Sequence, residues 1–472
     1  MRIKRFLLGV MLGLAPLFGQ QIQLNLDTAI KLAIQNNREI EIAKLNVKKS
    51  RAAVSEAFGY AMPNIDISAG LNHFLEKPKT PFPDFKAMLN NSTYSVLFDE
   101  GLLPRDEDKF LPLDFKLQSF AQTNSFETKI QATQILFNSA VFRGIGASQI
   151  YLNLAKENLR SAIAQTAFNV QKAFYGALLT KELYNIAQAR FKNANEHLQN
   201  IKAMGDQGLV SDFASLQAEV QVENIRPILV QLSNANIDAV NGLKILINLK
   251  QDTTLNIVGA LEYQDETLPT DTDLINEAKK SNFTLKILRI KKQLDDEFTA
   301  IDRGGYWPTL AAFGNYSYSG SGDKWTFQNY SSSIIGVSFS INLFQGGRTK
   351  HKVEQDVITA NQTIEQIHSL NDATEMQIKS NINNLKRINA QISAMQRNIS
   401  LAQRAYEISE DRYKQGEGSP LEVKDADVSL SNAKTNYTNA VHDYLLSRAK
   451  LNLLLGRTDK KYFNLVDDYL ND

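Results

Sequence analysis

The chain has 472 residues, 52 of them Lys or Arg against 51 Asp or Glu, and no cysteine. Balanced charge without a long basic block gives no field or tract for nucleic acid. The absence of cysteine removes disulfides, thiolate metal sites and a lipid-bearing N-terminal cysteine, and suits an oxidising compartment.

At the N terminus, Arg2, Lys4 and Arg5 precede an apolar run from Phe6 to Phe18 that ends at Gly19 and Gln20. This is the pattern of a secretory signal peptide over 1–20, since the run falls short of the roughly 20 residues that span a bilayer as a helix. No later segment reaches that length without charges, so any membrane crossing must be made by strands.

Comparing the chain with itself reveals a tandem duplication. Residues 27–63 align without gaps on 272–308: Ile30 with Ile275, Ala33 with Ala278, Asn37 with Asn282, Ile42 with Ile287 and Pro63 with Pro308. Leu136-Phe137 matches Leu343-Phe344, and Gly208, Ser211, Ala218 and Val220 match Gly416, Ser419, Ala426 and Val428. The offset falls from 245 to 207 between these matches, so the first copy carries about 38 extra residues between Pro63 and Leu136.

Each copy reads as helix, strand, strand, very long helix, tight turn, helix. The first repeat covers 21–250, with a helix over 27–58, strands over about 63–76 and 120–138, a long helix over about 143–205 and a helix over about 211–249. A linker follows at 251–269. The second repeat covers 270–456, with a helix over 270–303, strands over about 308–318 and 330–344, a long helix over about 347–415 and a helix over about 421–455; 457–472 forms a short tail. The 68 residues from Arg348 to Gln415 contain no Gly or Pro, which predicts a continuous helix roughly 100 Å long. The lengths also suggest that two short helices stack end to end beside each long one. A Pro-rich stretch at 78–112 lengthens the first inter-strand loop, as a surface feature or as a partial cap over a pore, while the second turns at Ser319-Gly320-Ser321-Gly322-Asp323.

The strands alternate with period two. Ile65, Ile67, Ala69 and Leu71 alternate with Asn64, Asp66, Ser68 and Gly70; Ile335, Val337, Phe339 and Ile341 alternate with Gly336, Ser338, Ser340 and Asn342. Tyr60, Tyr306, Trp307, Phe137 and Phe344 cluster where strands begin or end, as an interfacial aromatic girdle does. Four strands cannot close a membrane barrel, so several chains must share one, and three copies give twelve strands.

These features resemble the TolC-like family of outer-membrane efflux proteins. The carriers are LDTAIKLAIQNN with Pro63 downstream, YWPTL, the strand-to-helix junctions LFNSAVFRG and LFQGGRTKH, and the helical turns QGLVSDFASLQAEV and QGEGSPLEVKDADV. The likeness covers Leu26 to about Gly456. It implies a mainly α chain with a small β part, forming a homotrimeric α-helical barrel joined to a shared 12-stranded barrel in outer-membrane lipid. It also implies passive conduction for a tripartite efflux or type I secretion system, with a periplasmic adaptor and an inner-membrane pump of RND or ABC type.

The helical turns hold the candidate site. Ser419-Pro420-Leu421-Glu422 has the form of a capping box, with Ser211 as cap of the first turn. Capping does not account for Asp425 on the same face as Glu422, or for Tyr413 before the turn. The resemblance implies that Glu422 and Asp425 ring the periplasmic aperture and set its selectivity, and that Tyr413 belongs to polar links that hold helices closed. Gly208, Leu209, Val210, Ser211, Gly416, Gly418 and Ser419 are expected to contact the adaptor.

The five histidines are scattered along the chain without ligand spacing, GSGDK at 320–324 reads as a hairpin turn, and no nucleophile has a nearby base. No enzyme, cofactor or metal site is expected. The rival reading is a periplasmic coiled-coil scaffold or adhesin without a channel.

Overall fold

A computed structural model describes residues 22–471; the segment expected to be a signal peptide, 1–20, lies outside them. Packing divides the described chain into a helical unit of residues 22–54, 147–298 and 354–471, and a strand-bearing unit of residues 55–146 and 299–353.

In the helical unit, β1 (Ile22–Leu24) leads to α1 (Leu26–Asn36) and α2 (Arg38–Gly59), which runs on into the other unit. The long helix α4 (Ser139–Asp206) turns into α5 (Asp212–Leu246). After β6 (Leu255–Ile257), α6 (Asp271–Ser281) and α7 (Phe283–Arg303) echo α1 and α2, and α8 (Arg348–Lys414) with α9 (Pro420–Leu454) echo α4 and α5. Each long helix buries a narrow stripe: Leu152, Ala155, Leu159, Ile163 and Val170 on α4, and Ile378, Ile382, Leu385, Ile388 and Ile392 on α8. Spacings of three and four keep these side chains on one side of a 3.6-residue turn and leave the other faces polar.

The helices expected as single runs over 27–58 and 270–303 are each broken, at Asn37 and Asn282. The two asparagines occupy equivalent places in the duplication and do the same two things. Asn37 Oδ1 accepts from the Glu39 N–H (2.8 Å) while its Nδ2 donates to the Leu246 carbonyl (3.1 Å). Asn282 Oδ1 accepts from the Leu285 N–H (3.1 Å) and its Nδ2 donates to the Leu454 carbonyl (2.9 Å). Each side chain therefore caps the start of one helix and satisfies the last carbonyl of another, joining two short helices end to end.

Other boundaries shift for local reasons. Helix α4 starts before 143 because Asn138 Oδ1 accepts from the Val141 N–H (3.1 Å). The linker at 251–269 contains β6, which pairs in parallel with β1; three residues are too few to leave a periodic signal. The tail at 457–472 is structured: α10 (Lys460–Asn464) and α11 (Asp467–Leu470) bury Tyr462, Val466 and Leu470 in the core formed by α1, α2, α4 and α5. Tyr462 Oη donates to Asp27 (3.0 Å), which Lys461 also pairs (2.7 Å).

The strand-bearing unit holds β2 (Asn64–His73), β5 (Asn124–Phe137), β7 (Thr309–Gly322) and β8 (Gln328–Ser340), antiparallel throughout in the order β2-β5-β7-β8. Register places Ile67 beside Ile130 and Ile130 beside Tyr316, while Ala312 meets Val337. One face is thus apolar across all four strands. The other carries Asp66, Gln131, Asn315 and Ser332. The apolar face is in the open: Ile67 is 71% exposed and Ile335 92%.

The expected turn at 319–323 is instead strand as far as Gly322, and the chain reverses over 323–327. Gly320 fits inside the strand because the Asn329 side chain and the Phe126 ring crowd the place a Cβ would take. The strand expected to reach 344 stops at Ser340, and Leu343 and Phe344 lie exposed beyond it. The stretch 78–112 is no bare loop, since it contains β3 (Thr80–Pro83) and α3 (Phe85–Asp99), and β4 (Phe115–Gln118), which pairs with β3, lies just past its end. Its prolines, at 78, 81, 83, 104 and 112, bracket α3 rather than interrupt it.

Asn282→Ala removes a cap and strands the buried Leu454 carbonyl, so it should cost about 2 kcal/mol. Asn282→Asp keeps the cap but not the donor and should fall between. Denaturant unfolding in detergent, followed by helical circular dichroism, checks both.

Candidate functional site

Both long helices end in the same way. Gly208 adopts φ +72° and its N–H donates to the Gly205 carbonyl (2.8 Å), while Leu209 N–H reaches Met204 (2.9 Å). Gly416 adopts φ +77°, its N–H donates to Tyr413 (3.0 Å), and Glu417 N–H reaches Arg412 (2.9 Å). This paired pattern satisfies the last carbonyls of a helix and needs a residue free of a Cβ penalty in the left-handed region. The next helices start at once, with Ser211 Oγ accepting from Ala214 N–H (3.4 Å) and Ser419 Oγ from Glu422 N–H (3.3 Å). Gly208, Leu209, Ser211, Gly416 and Ser419 are exposed. Val210 and Gly418 are half-buried, Val210 against the small core of α4 and α5 and Gly418 against backbone, where a Cβ would approach Tyr413 N to 3.0 Å.

Only half of the expected capping box forms. Glu422 turns its carboxylate to Arg412 (3.5 Å) instead of to the Ser419 N–H, and Arg412 also donates to the Glu417 carbonyl (3.1 Å). The guanidinium competes successfully because a charge-assisted contact outweighs a neutral N–H donor. Asp425 is exposed, and among the described residues its carboxylate has no partner. Tyr413 packs edge-on to His197 at 4.9 Å, and its hydroxyl meets only the Met204 sulfur (3.8 Å), a weak acceptor. The structure brings Tyr413 within reach of α4 and leaves Asp425 pointing away from its own chain's partners.

One acid escaped the sequence reading. Asp427 is 6% exposed on the inner face of α9, its Oδ2 3.4 Å from Arg190 Nε on α4 but misaligned for a hydrogen bond, with Asn193 donating to Oδ1 at 3.5 Å. Burial pushes its carboxyl pKa up, against Asn193 and Arg190. Nearby, burial with Glu410, Asp427 and Glu196 pushes Tyr406 up to about 12, and burial lowers His197. The signal was present: Val423, Asp427 and Leu430 fall at i, i+4 and i+7, so an acid occupies a core position. Among the described residues no group of His, Cys, Asp and Glu could hold a metal ion.

The family model described as outer membrane efflux protein matches residues 78–249 and 274–457. The outer membrane protein TolC of Escherichia coli is 23% identical over 357 residues, covering 72% of this chain and 71% of the relative. The alkaline protease secretion protein AprF of Pseudomonas aeruginosa is 22% identical over 358 residues, covering 73% and 72%. Among solved structures, the Campylobacter jejuni CmeC outer membrane channel superposes with a TM-score of 0.69 at 16% identity, covering 94% of this chain and 89% of that one. That likeness carries the protomer fold.

Removing Arg190 isolates the Asp427 carboxylate and raises its pKa further, so the folded form then holds a proton that the unfolded chain has released. Stability of Arg190→Ala should therefore fall, relative to the wild type, as pH rises through that raised value. A loss of about 3 kcal/mol at pH 8, shrinking toward pH 5, is expected from thermal unfolding at the two pH values.

Proposed function

The chain belongs to the outer membrane efflux protein family, and we propose that three copies form one outer-membrane duct that passively conducts substrates delivered by an adaptor and an inner-membrane pump. The observation that carries this reading is the sheet. It has one apolar and one polar face and two open edges, β2 and β8.

Unpaired backbone groups at a sheet edge are not tolerated against lipid, where each costs several kcal/mol. Pairing β8 of one copy with β2 of the next removes every edge. Because the four strands alternate in direction, that junction is antiparallel for any number of copies, and three copies reach the twelve strands that a water-filled barrel accommodates. The apolar face then meets lipid and the Asp66, Gln131 and Asn315 face lines water. A scaffold or adhesin would leave this apolar face in solvent at about 1.5–3 kcal/mol for each large side chain.

The paired turns supply the end that an adaptor meets, through Gly208, Leu209, Ser211, Gly416 and Ser419. Glu422 and Asp425 begin the helix that follows, and three copies bring six carboxylates round one aperture. Like charges gathered there attract cations and repel anions, less screened than on an open surface. Since Arg412 offsets part of the Glu422 charge, Asp425 carries more of the selectivity. Tyr413, whose hydroxyl meets only a thioether among the described residues, can turn its donor to a neighbouring copy.

Mass measurement in detergent should give a trimer; a monodisperse monomer with full β-content sinks the shared barrel. In planar bilayers, Asp425→Ala should weaken cation preference and divalent block more than Glu422→Ala does, and the double variant most of all. Arg412→Ala should strengthen both. Unchanged selectivity in an assembled double variant would leave these acids as helix-start residues worth roughly 1 kcal/mol of local stability.

A further inference from the structure

The segment joining β2 to β5 is an insertion fastened to the β7–β8 turn at both ends. Asp323 in that turn accepts from the Thr123 N–H (3.0 Å) and Oγ1 (2.9 Å) and pairs with Lys77. The His73 ring stacks on Trp325 at 6.2 Å, and its Nδ1 meets Asn124 Oδ1 at 2.7 Å. Within the insertion, Asn91 on α3 makes two bonds to the Leu111 backbone (2.7 and 2.8 Å), Asn90 donates to the Lys109 carbonyl (2.6 Å), and Phe98 meets Phe110 edge-on at 5.7 Å. Asp84 caps α3 and pairs with Lys116 on β4.

Several large apolar side chains of the insertion are left uncovered, and two sets of them each share one side of a single element. Phe85, Leu89 and Val96 share the outer side of α3, each half or more exposed, and Phe115 and Leu117 share one face of β4, 72% and 67% exposed. Contiguous exposed apolar surface on a well-ordered element marks an interaction site. Lipid is a poor occupant. Between Phe74 and Thr123 there are eight acids against six bases, whereas binding to anionic headgroups calls for a basic excess. A ring of identical subunits, by contrast, needs two different surfaces on every copy, one for each neighbour. The insertion offers two, and it springs from β2, the open edge that meets the next copy in the barrel proposed above.

We propose that Phe85, Leu89 and Val96 of one copy pack against Phe115 and Leu117 of the neighbouring copy, adding a second ring of subunit contacts at the loop end of the shared barrel. The inference rests on the trimeric reading and asks more of it, because strand pairing alone leaves both surfaces bare.

The chain has no cysteine, so single thiols can be placed cleanly. One chain carrying Leu89→Cys is co-expressed with another carrying Leu117→Cys, and the assembled protein is oxidised mildly in native membranes. A disulfide between the two variants can only join different copies. The expected result is covalent dimer at least tenfold above that from either variant alone, abolished when Val96→Asp is added to the first chain. Trimer by mass with no mixed dimer overturns the contact and leaves the barrel standing, whereas a monomer by mass overturns both. Dimer from Leu89→Cys alone overturns the pairing of unlike surfaces. Capture of the Leu89→Cys face by a photoactivatable lipid in place of a protein overturns the choice of occupant.

Discussion

The outer edges of β2 and β8 expose rows of backbone N–H and C=O groups that no other strand among the described residues satisfies. In water such edges invite pairing, and in lipid they demand it. The demand fixes how copies join, since the junction must run antiparallel and in a register that keeps the apolar face continuous. It also separates the roles of the two faces. Ile67, Ile130 and Val337 are exposed on the face that the proposed barrel turns to lipid, while Asp66 and Gln131 lie on the reverse, which it turns to water.

The helices meet a related requirement in another way. A long helix satisfies its own backbone except at its ends, and here asparagine side chains and glycine turns close those ends. Asn37 and Asn282 each close one helix end against another, so that two short helices flank a long one without leaving orphaned carbonyls. The turns do likewise through Gly208 and Gly416, whose positive φ lets the last N–H groups fold back. A duplicated chain thus reuses one solution at each of two kinds of joint.

Charge at the second turn is divided by burial. Asp425 and Glu422 are exposed, Glu422 with its carboxylate beside Arg412, whereas Asp427, two residues on from Asp425, is turned inward beside Arg190. One helical turn therefore carries both an outward electrostatic surface and an inward strut, and the strut holds the helix that presents the surface.

The duplication, the alternation of the four strands, the very long helices and the positions of both glycine turns could be read from the sequence because each rests on local periodicity or on a residue with singular backbone freedom. The resemblance carried by the two turn motifs added the family. What the sequence did not disclose depends on distant partners. Asn37 and Asn282 look like ordinary helix residues until Leu246 and Leu454, more than 170 positions away, supply the carbonyls they bind. The tail reads as polar remnant until Tyr462, Val466 and Leu470 find a core built from the opposite end of the chain. Asp427 differs from Asp425 only in which side of α9 faces Arg190, and the Pro-rich stretch folds because Asn90 and Asn91 clasp a segment some twenty residues on. Periodicity reports which side of an element is buried, but the partner that buries it is chosen by packing, and packing exists only in three dimensions.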